Sequence, residues 1–380
     1  MHIAVIAADL FPKRLGGAET HIVEVAKRLT KNGHRFAFFV GPDDHIKNIL
    51  PKEISVHTVW YPKIPNVYGL SYIAFAPRQI QKKLQTHKID AIWAKQVFPQ
   101  AVVGAILAKW LKKPLYITAQ NPLAFKEELV IRGPFPLKRQ IPNLLTPFVE
   151  FALRSAHTVG AVSRYSASQA QKLGAKRTTV IPNGVDLKTF KIKEKIIKRK
   201  EERMRIITTS SLIPRNGIDT LIEAVSLLSD TVDWELIIAG DGPEYQHLKA
   251  QIAKLKLKEK VTMLGRVENR NIPQLLKSAD IFVRLSRKEG FGVSFLEAMA
   301  AGVPVVATPI GGITDFIENE KTGLLVMPEK PQEAARAIER LLGERKLYTH
   351  VQKNARVLVK EKYTWEKIAD EVNKVLSSIT

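Results

Sequence analysis

Cysteine is absent from all 380 residues, which excludes disulfides, thiolate metal sites, iron–sulfur clusters and a cysteine nucleophile. Long apolar runs are missing too. The longest, near Ala101–Trp110, falls far short of the roughly 18 apolar residues of a membrane-spanning helix. The first ten residues lack the basic n-region and cleavage site of a secretory signal, and they read as a buried strand. A cytoplasmic protein is the resulting expectation. G-x-x-x-x-G-K-[ST], H-E-x-x-H and G-x-S-x-G do not occur, which removes P-loop NTPases, zincins and α/β-hydrolases. No G-x-G-x-x-G follows the first strand, so a dinucleotide oxidoreductase is disfavoured. The nine His are scattered without ligand spacing and no Asp-rich cluster offers an oxygen cage, so no metal site is expected. Acidic residues are scarce: 37 Asp and Glu stand against 59 Lys and Arg, a formal net charge of +22. Such a surplus suits anionic partners, or it reflects host-wide lysine usage on solvated faces. No nucleic-acid recognition module is apparent, so no nucleic-acid partner is expected.

What the chain does contain is an alternation of short β-branched runs with longer amphipathic segments, the pattern of βαβ units. Strands are predicted at Ile3–Ala7, Phe36–Val40, Ile54–Val59, Ala91–Ala94, Leu115–Thr118, Val159–Val162 and Thr179–Ile181. A helix is predicted over Ala18–Thr30, and another begins at Ser163. Composition shifts after Asp186: nine Lys or Arg lie between Lys188 and Arg205, with few large apolar residues, which marks an exposed connection. A second series follows, with strands at Arg205–Thr209, Glu235–Ala239, Val261–Leu264, Ile281–Val283, Val303–Ala307 and Leu324–Val326, and a last helix near Trp365–Leu376. The simplest architecture is α/β, with two Rossmann-like domains facing each other across a cleft. The expected boundaries are 1–186, a basic linker at 187–204, a second domain at 205–362, and a C-terminal helix at 363–380.

The densest chemical signal is EGFGVSFLEAMAAGVPVVATPIGG at Glu289–Gly312. Gly290 and Gly292 permit a tight turn, and a helix beginning near Val293 would offer free amides to a diphosphate. Glu297, about a turn further in, could accept hydrogen bonds from ribose hydroxyls, while Glu289 would face the other end of the ligand. The competing reading is a helix start decorated with acids for its dipole. Gly16-Gly17-Ala18-Glu19 offers a second set of helix-start amides at the carboxyl end of the first strand, or is an ordinary strand–helix connection. Gly240-Asp241-Gly242-Pro243 looks like a weak phosphate loop, but Pro243 at a first helical position explains it structurally.

Taken together, GGAE, IPNGVD at Ile181–Asp186, GDGPE at Gly240–Glu244, LGRV at Leu264–Val267 and the spacing Glu289–Glu297 carry a resemblance. The chain resembles retaining glycosyltransferases of family 4, which have the GT-B fold, over essentially its full length. The resemblance implies sugar transfer from a nucleotide-sugar such as a UDP- or GDP-sugar, with retention of configuration and no obligatory metal or further cofactor. The donor is expected at Gly16, Gly17, Ser211, Arg215, Arg266, Glu289, Gly290, Phe291, Gly292, Val293 and Glu297, with Glu289 catalytic and, as the only cation on its loop with a fork able to bridge two phosphate oxygens, Arg215 as well. The N-terminal domain would bind the acceptor, a glycan, lipid-linked or small molecule as in cell-envelope polysaccharide synthesis, and the C-terminal helix would cross back onto it. Two segments depart from the family pattern. Ser211 and Asn216 stand where an Arg and a Lys usually neutralise the diphosphate, with Arg215 beside them, and Gln120 stands where many members carry a His. Gln120 could bind an acceptor hydroxyl but cannot titrate near neutral pH. A degenerate member that binds a nucleotide-sugar without turnover is the alternative that these substitutions favour. Basic and apolar residues mix at Ala74–Lys88, Ala105–Lys113 and Leu123–Ala152, which suits peripheral contact with an anionic membrane or, equally, packed helices with solvated lysines.

Overall fold

Runs such as Ile3–Ala7 have no polar position to turn toward water, so they are stable only as strands covered on both faces. The computed structural model describes residues 1–8, 17–42, 49–64, 68–85, 88–120, 141–190, 203–229 and 233–380. Gly16 and most of the basic linker expected at 187–204 lie outside them, as does much of the mixed segment from Leu123 to Ala152.

The described chain divides into two units, Met1–Asn183 with Trp365–Thr380, and Gly184–Thr364. The first unit runs β1 (His2–Ala7), α1 (Gly17–Lys31), β2 (Arg35–Val40), β3 (Ser55–Thr58), α2 (Tyr68–Leu84), β4 (Ala91–Ala94), α3 (Gln100–Leu111), β5 (Leu115–Ala119), α4 (Ile141–Ser155), β6 (Thr158–Ala161), α5 (Arg164–Lys172) and β7 (Thr178–Val180). Its parallel sheet has the order β3-β2-β1-β4-β5-β6-β7. Successive residues of β1 serve opposite layers. Ala4 and Ile6 join the core beneath α2 and α3, whereas Ile3 and Val5 pack with Ile22, Val25 and Leu29 of α1. Ser163 is the N-cap of α5, its hydroxyl accepting the Ser166 N–H at 3.0 Å.

The second unit runs β8 (Met204–Thr209), α6 (Ile218–Ser226), β9 (Trp234–Ala239), α7 (Tyr245–Lys254), β10 (Val261–Gly265), α8 (Ile272–Ser278), β11 (Ile281–Arg284), α9 (Val293–Ala300), β12 (Val305–Ala307), β13 (Leu324–Leu325), α10 (Pro331–Gly343) and α11 (Arg345–Lys362). This sheet is also parallel, in the order β10-β9-β8-β11-β12-β13. The last helix, α12 (Trp365–Ile379), belongs to the first unit. Its Trp365, Ile368, Val372 and Leu376 complete the core around α1. Two sequence expectations need correction. Val303 and Pro304 precede β12, because Pro304 has no amide to give the ladder. Pro243 sits in the turn before α7, where the Tyr245 N–H bonds to the Gly242 carbonyl at 3.1 Å, and not in its first turn.

The two units solve the same problem in the same way. Asp90, just before β4, accepts the backbone N–H of His2 at 2.7 Å, and Asp280, just before β11, accepts that of Arg205 at 2.7 Å. In each case the carboxylate ties the first strand of the unit to the strand at which the sheet order reverses.

Candidate functional site

Open parallel sheets bind ligands outside the carboxyl ends of the strands where the order reverses. In the second unit that point lies between β8 and β11. The loops leaving these strands nest backbone on backbone. The Arg215 carbonyl accepts the N–H groups of Arg287 at 2.7 Å and Lys288 at 3.3 Å. Gly217 has φ +64, and a β-carbon there would overlap the Leu285 carbonyl oxygen. On the far side, Gly311 (φ +54) presses equally close to the Glu289 carbonyl oxygen. The loop after β9 joins them through the Leu212 N–H to the Asp241 carbonyl at 3.0 Å. Arg266 lies beyond it, exposed at the end of the edge strand β10.

α9 opens at this junction. Gly292, at φ +96, is its N-cap, and no side chain caps the helix. The Val293 and Ser294 amides of the first turn therefore keep their capacity for an anionic ligand, while that of Phe295 bonds to the Gly292 carbonyl at 3.1 Å. Glu297 lies one turn in. Burial pushes its carboxyl up to about 7, and the charge of Arg284 opposes that rise. Glu289 is bound tightly. One oxygen pairs with Arg284, and the other accepts the N–H of Gly290 at 3.0 Å and that of Phe291 at 3.4 Å. The Phe291 ring is buried against Phe316 and Tyr363, at centroid distances of 5.3 and 6.2 Å, so only its backbone is left to face a ligand.

The cations around this point are distributed unevenly. Arg215 and Ser211 are exposed on the loop after β8, whereas Asn216 is buried and donates to the Ser211 carbonyl at 2.8 Å, closing the loop on itself. Arg287 is committed to the fold. It donates to both Asp219 oxygens at 2.9 and 2.6 Å, to Glu329 at 2.9 Å and to the Pro214 carbonyl at 2.6 Å. Burial raises the Asp219 carboxyl, but the hydrogen bonds and charge of Arg287 outweigh it and leave it below its usual range. Sequence reasoning missed Arg284. The available signal was a guanidinium ending the apolar run Ile281–Val283, where a charge requires partners.

The equivalent reversal in the first unit lies between β1 and β4. Gly17 opens α1 there, and Glu19 in its first turn pairs with Lys95, whose side chain is 2% exposed just after β4. Glu19 is thus the counter-charge of a buried lysine. Gln120, just after β5, exchanges two hydrogen bonds with Asn183, at 3.0 and 2.9 Å, and Asn183 also meets His21 Nδ1 at 3.0 Å. Burial drives His21 down to about 4, with the Asn183 hydrogen bond opposing, so it is neutral at pH 7. A groove of about 330 Å³ is lined by Ile73, Val102, Ile106, Pro147, Phe148 and Phe151 of α2, α3 and α4. Among the described residues, no three acidic or imidazole side chains converge as a metal cage, and no helix is long and apolar enough to cross a membrane.

A family model described as Glycosyltransferase Family 4 matches residues 15–189, and one described as Glycosyl transferases group 1 matches residues 189–358. An uncharacterized glycosyltransferase of Methanocaldococcus jannaschii is 25% identical over 377 residues, covering 99% of this chain and 98% of that protein. N-acetyl-alpha-D-glucosaminyl L-malate synthase of Bacillus anthracis is 23% identical, covering 95% and 93%. Among solved structures, Anabaena HepE in complex with UDP and glucose superimposes with a TM-score of 0.78 and 26% identity, covering all of both chains. The fold is GT-B, built from two Rossmann-like domains.

Proposed function

Since the chain belongs to glycosyltransferase family 4, we propose that its second unit holds a nucleotide-sugar and that the sugar passes to an acceptor hydroxyl with retention of configuration. The observation that carries this reading is the uncapped start of α9 at the β8/β11 reversal, with Glu289 before it and Glu297 one turn inside it. The first-turn amides and Arg215 receive the diphosphate, Glu297 accepts from the ribose hydroxyls, and Glu289 faces the sugar. During transfer the bond from the anomeric carbon to phosphate oxygen breaks, and the bond to acceptor oxygen forms on the same face. The departing phosphate oxygen takes the acceptor proton, and the positive groups around it stabilise the charge that builds there. No side-chain base is required, in keeping with Gln120 being an amide bonded to Asn183. Anabaena HepE was also solved with UDP-glucose, which supports a uridine donor as the first to test.

For the acceptor, the apolar groove of α2, α3 and α4 supports a lipid-linked molecule or peripheral membrane contact. Trp60, Phe75, Trp110 and Leu144 of the same unit are exposed, and Arg78, Lys82, Lys83, Lys109 and Arg154 lie on the helices that form the groove. Calorimetric titration with UDP-glucose, UDP-N-acetylglucosamine and GDP-mannose tests the donor reading, and release of free sugar from the bound donor tests turnover. Binding of none of the three would refute the donor site. Binding without any release or transfer would support a degenerate binder.

A further inference from the structure

Arg284 occupies the last position of β11 with its side chain 8% exposed. Withdrawing a guanidinium from water is costly unless its hydrogen bonds are replaced. The replacements all come from one short segment. Nε donates to Ser286 Oγ at 3.1 Å, Nη1 to Ser294 Oγ at 2.8 Å, and Nη2 to Glu289. The guanidinium also lies over the Phe295 ring, 4.7 Å from its centroid. These four partners stand before, within and after the glycine turn that opens α9. The rigid planar fork is thereby fixed by Ser286, Ser294 and Phe295, and its remaining arm sets where the Glu289 carboxylate sits. With its other oxygen held by the loop amides, Glu289 has little freedom left, which is the condition a carboxylate needs to read the hydroxyl pattern of a sugar.

We propose that Arg284 is a positioning residue for donor recognition, acting through Glu289 to fix the carboxylate that faces the sugar. The inference rests on the donor reading above and adds a residue outside its set of ligand contacts. Arg284 touches neither nucleotide nor sugar in this scheme. Its effect through Glu289 is confined to ligands that carry the sugar and vanishes when Glu289 can no longer be positioned; its charge also favours the Glu297 carboxylate, a separate effect that disappears once Glu297 is fully ionised.

The test is a double-mutant cycle read by calorimetry at about pH 9, above the range in which Glu297 ionises, with UDP-glucose and with UDP, or with GDP-mannose and GDP if that pair is the one wild type binds. Arg284→Met should weaken the nucleotide-sugar about tenfold and the free diphosphate less than about twofold, as expected for losing one charged hydrogen-bonding arrangement. In a Glu289→Gln background the same substitution should add less than about twofold, because coupled residues are not additive. Equal losses for both ligands, additive losses in the cycle, or an unchanged nucleotide-sugar affinity would each overturn the role of Arg284. If Arg284→Met does not fold, Arg284→Lys carries the test: loss for the nucleotide-sugar with the diphosphate retained supports the proposal, and equal loss refutes it. Wild type that binds neither UDP-glucose nor GDP-mannose would refute the donor reading itself.

Discussion

Replacing Glu297 with Gln should make the protein more stable and its nucleotide binding weaker, with both differences growing as pH rises from about 4.5 to about 7. The Glu297 carboxyl is raised from 4.5 to about 7, first by burial, with the charge of Arg284 pulling the other way. The native state therefore keeps a proton that the unfolded chain gives up, so stability falls as pH climbs from about 4.5 to about 7 and then levels off. Gln cannot lose a proton and carries no such slope. At 1.36 kcal/mol for each unit, a shift of this size is worth up to about 3 kcal/mol. The side chain retains some exposure, and solvent screening reduces that to about 1–2 kcal/mol. A domain of this size gains about 2–4 °C in Tm for each kcal/mol, so Glu297→Gln should melt roughly 2–8 °C above wild type at pH 8 and almost with it at pH 4.5. Scanning fluorimetry in a pH series at fixed ionic strength reads this directly. Ribose hydroxyls donate to the carboxylate form, so the ratio of wild-type to variant affinity for UDP should rise across the same window. Titration of the UDP phosphate is common to both proteins and cancels in that ratio. Parallel melting curves across pH, or a variant less stable than wild type at pH 8, would refute the reasoning.

Gly311→Ala drives a β-carbon into the Glu289 carbonyl oxygen at a left-handed φ, and should destabilise the chain by about 2–4 kcal/mol. An unchanged chemical denaturation midpoint would show that the loop can move aside. Arg215→Ala should lower turnover by roughly two orders of magnitude, comparable to the loss of a key oxyanion donor. Since Arg287 is engaged by Asp219 and Glu329, near-wild-type turnover in that variant would pass the role to Lys288 or Arg266. Catalysis should survive a chelator, and abolition by EDTA with rescue by Mg²⁺ or Mn²⁺ would contradict metal-independent transfer.

Much of the architecture is legible in one dimension because it rests on local rules. Ile3–Ala7 and Ile281–Val283 can only be strands covered on both faces, and Gly292 ahead of an apolar helical stretch marks the start of α9. The same locality exposes Glu289, Gly290 and Glu297 as a group, since they fall within one loop and the two helical turns that follow. What the chain alone determined, then, was two parallel α/β units and the position of the glycine turn that opens α9 in the second. How each charge is placed was decided only in the folded structure, by contacts across the chain and within the loops that the fold closes. Arg287 and Arg215 look alike in the sequence, yet the fold half-buries the first between Asp219 and Glu329 and leaves the second exposed on the loop after β8. Asn216, at a position where a cation is usual, turns inward to the Ser211 carbonyl, and Gln120 meets Asn183 across 63 residues. Arg284 ends a strand and is buried against the loop that follows, where desolvation forces it to find Glu289. Hydrophobic periodicity places backbones, but the fate of a charge depends on what the fold brings within hydrogen-bonding distance and how much water it removes.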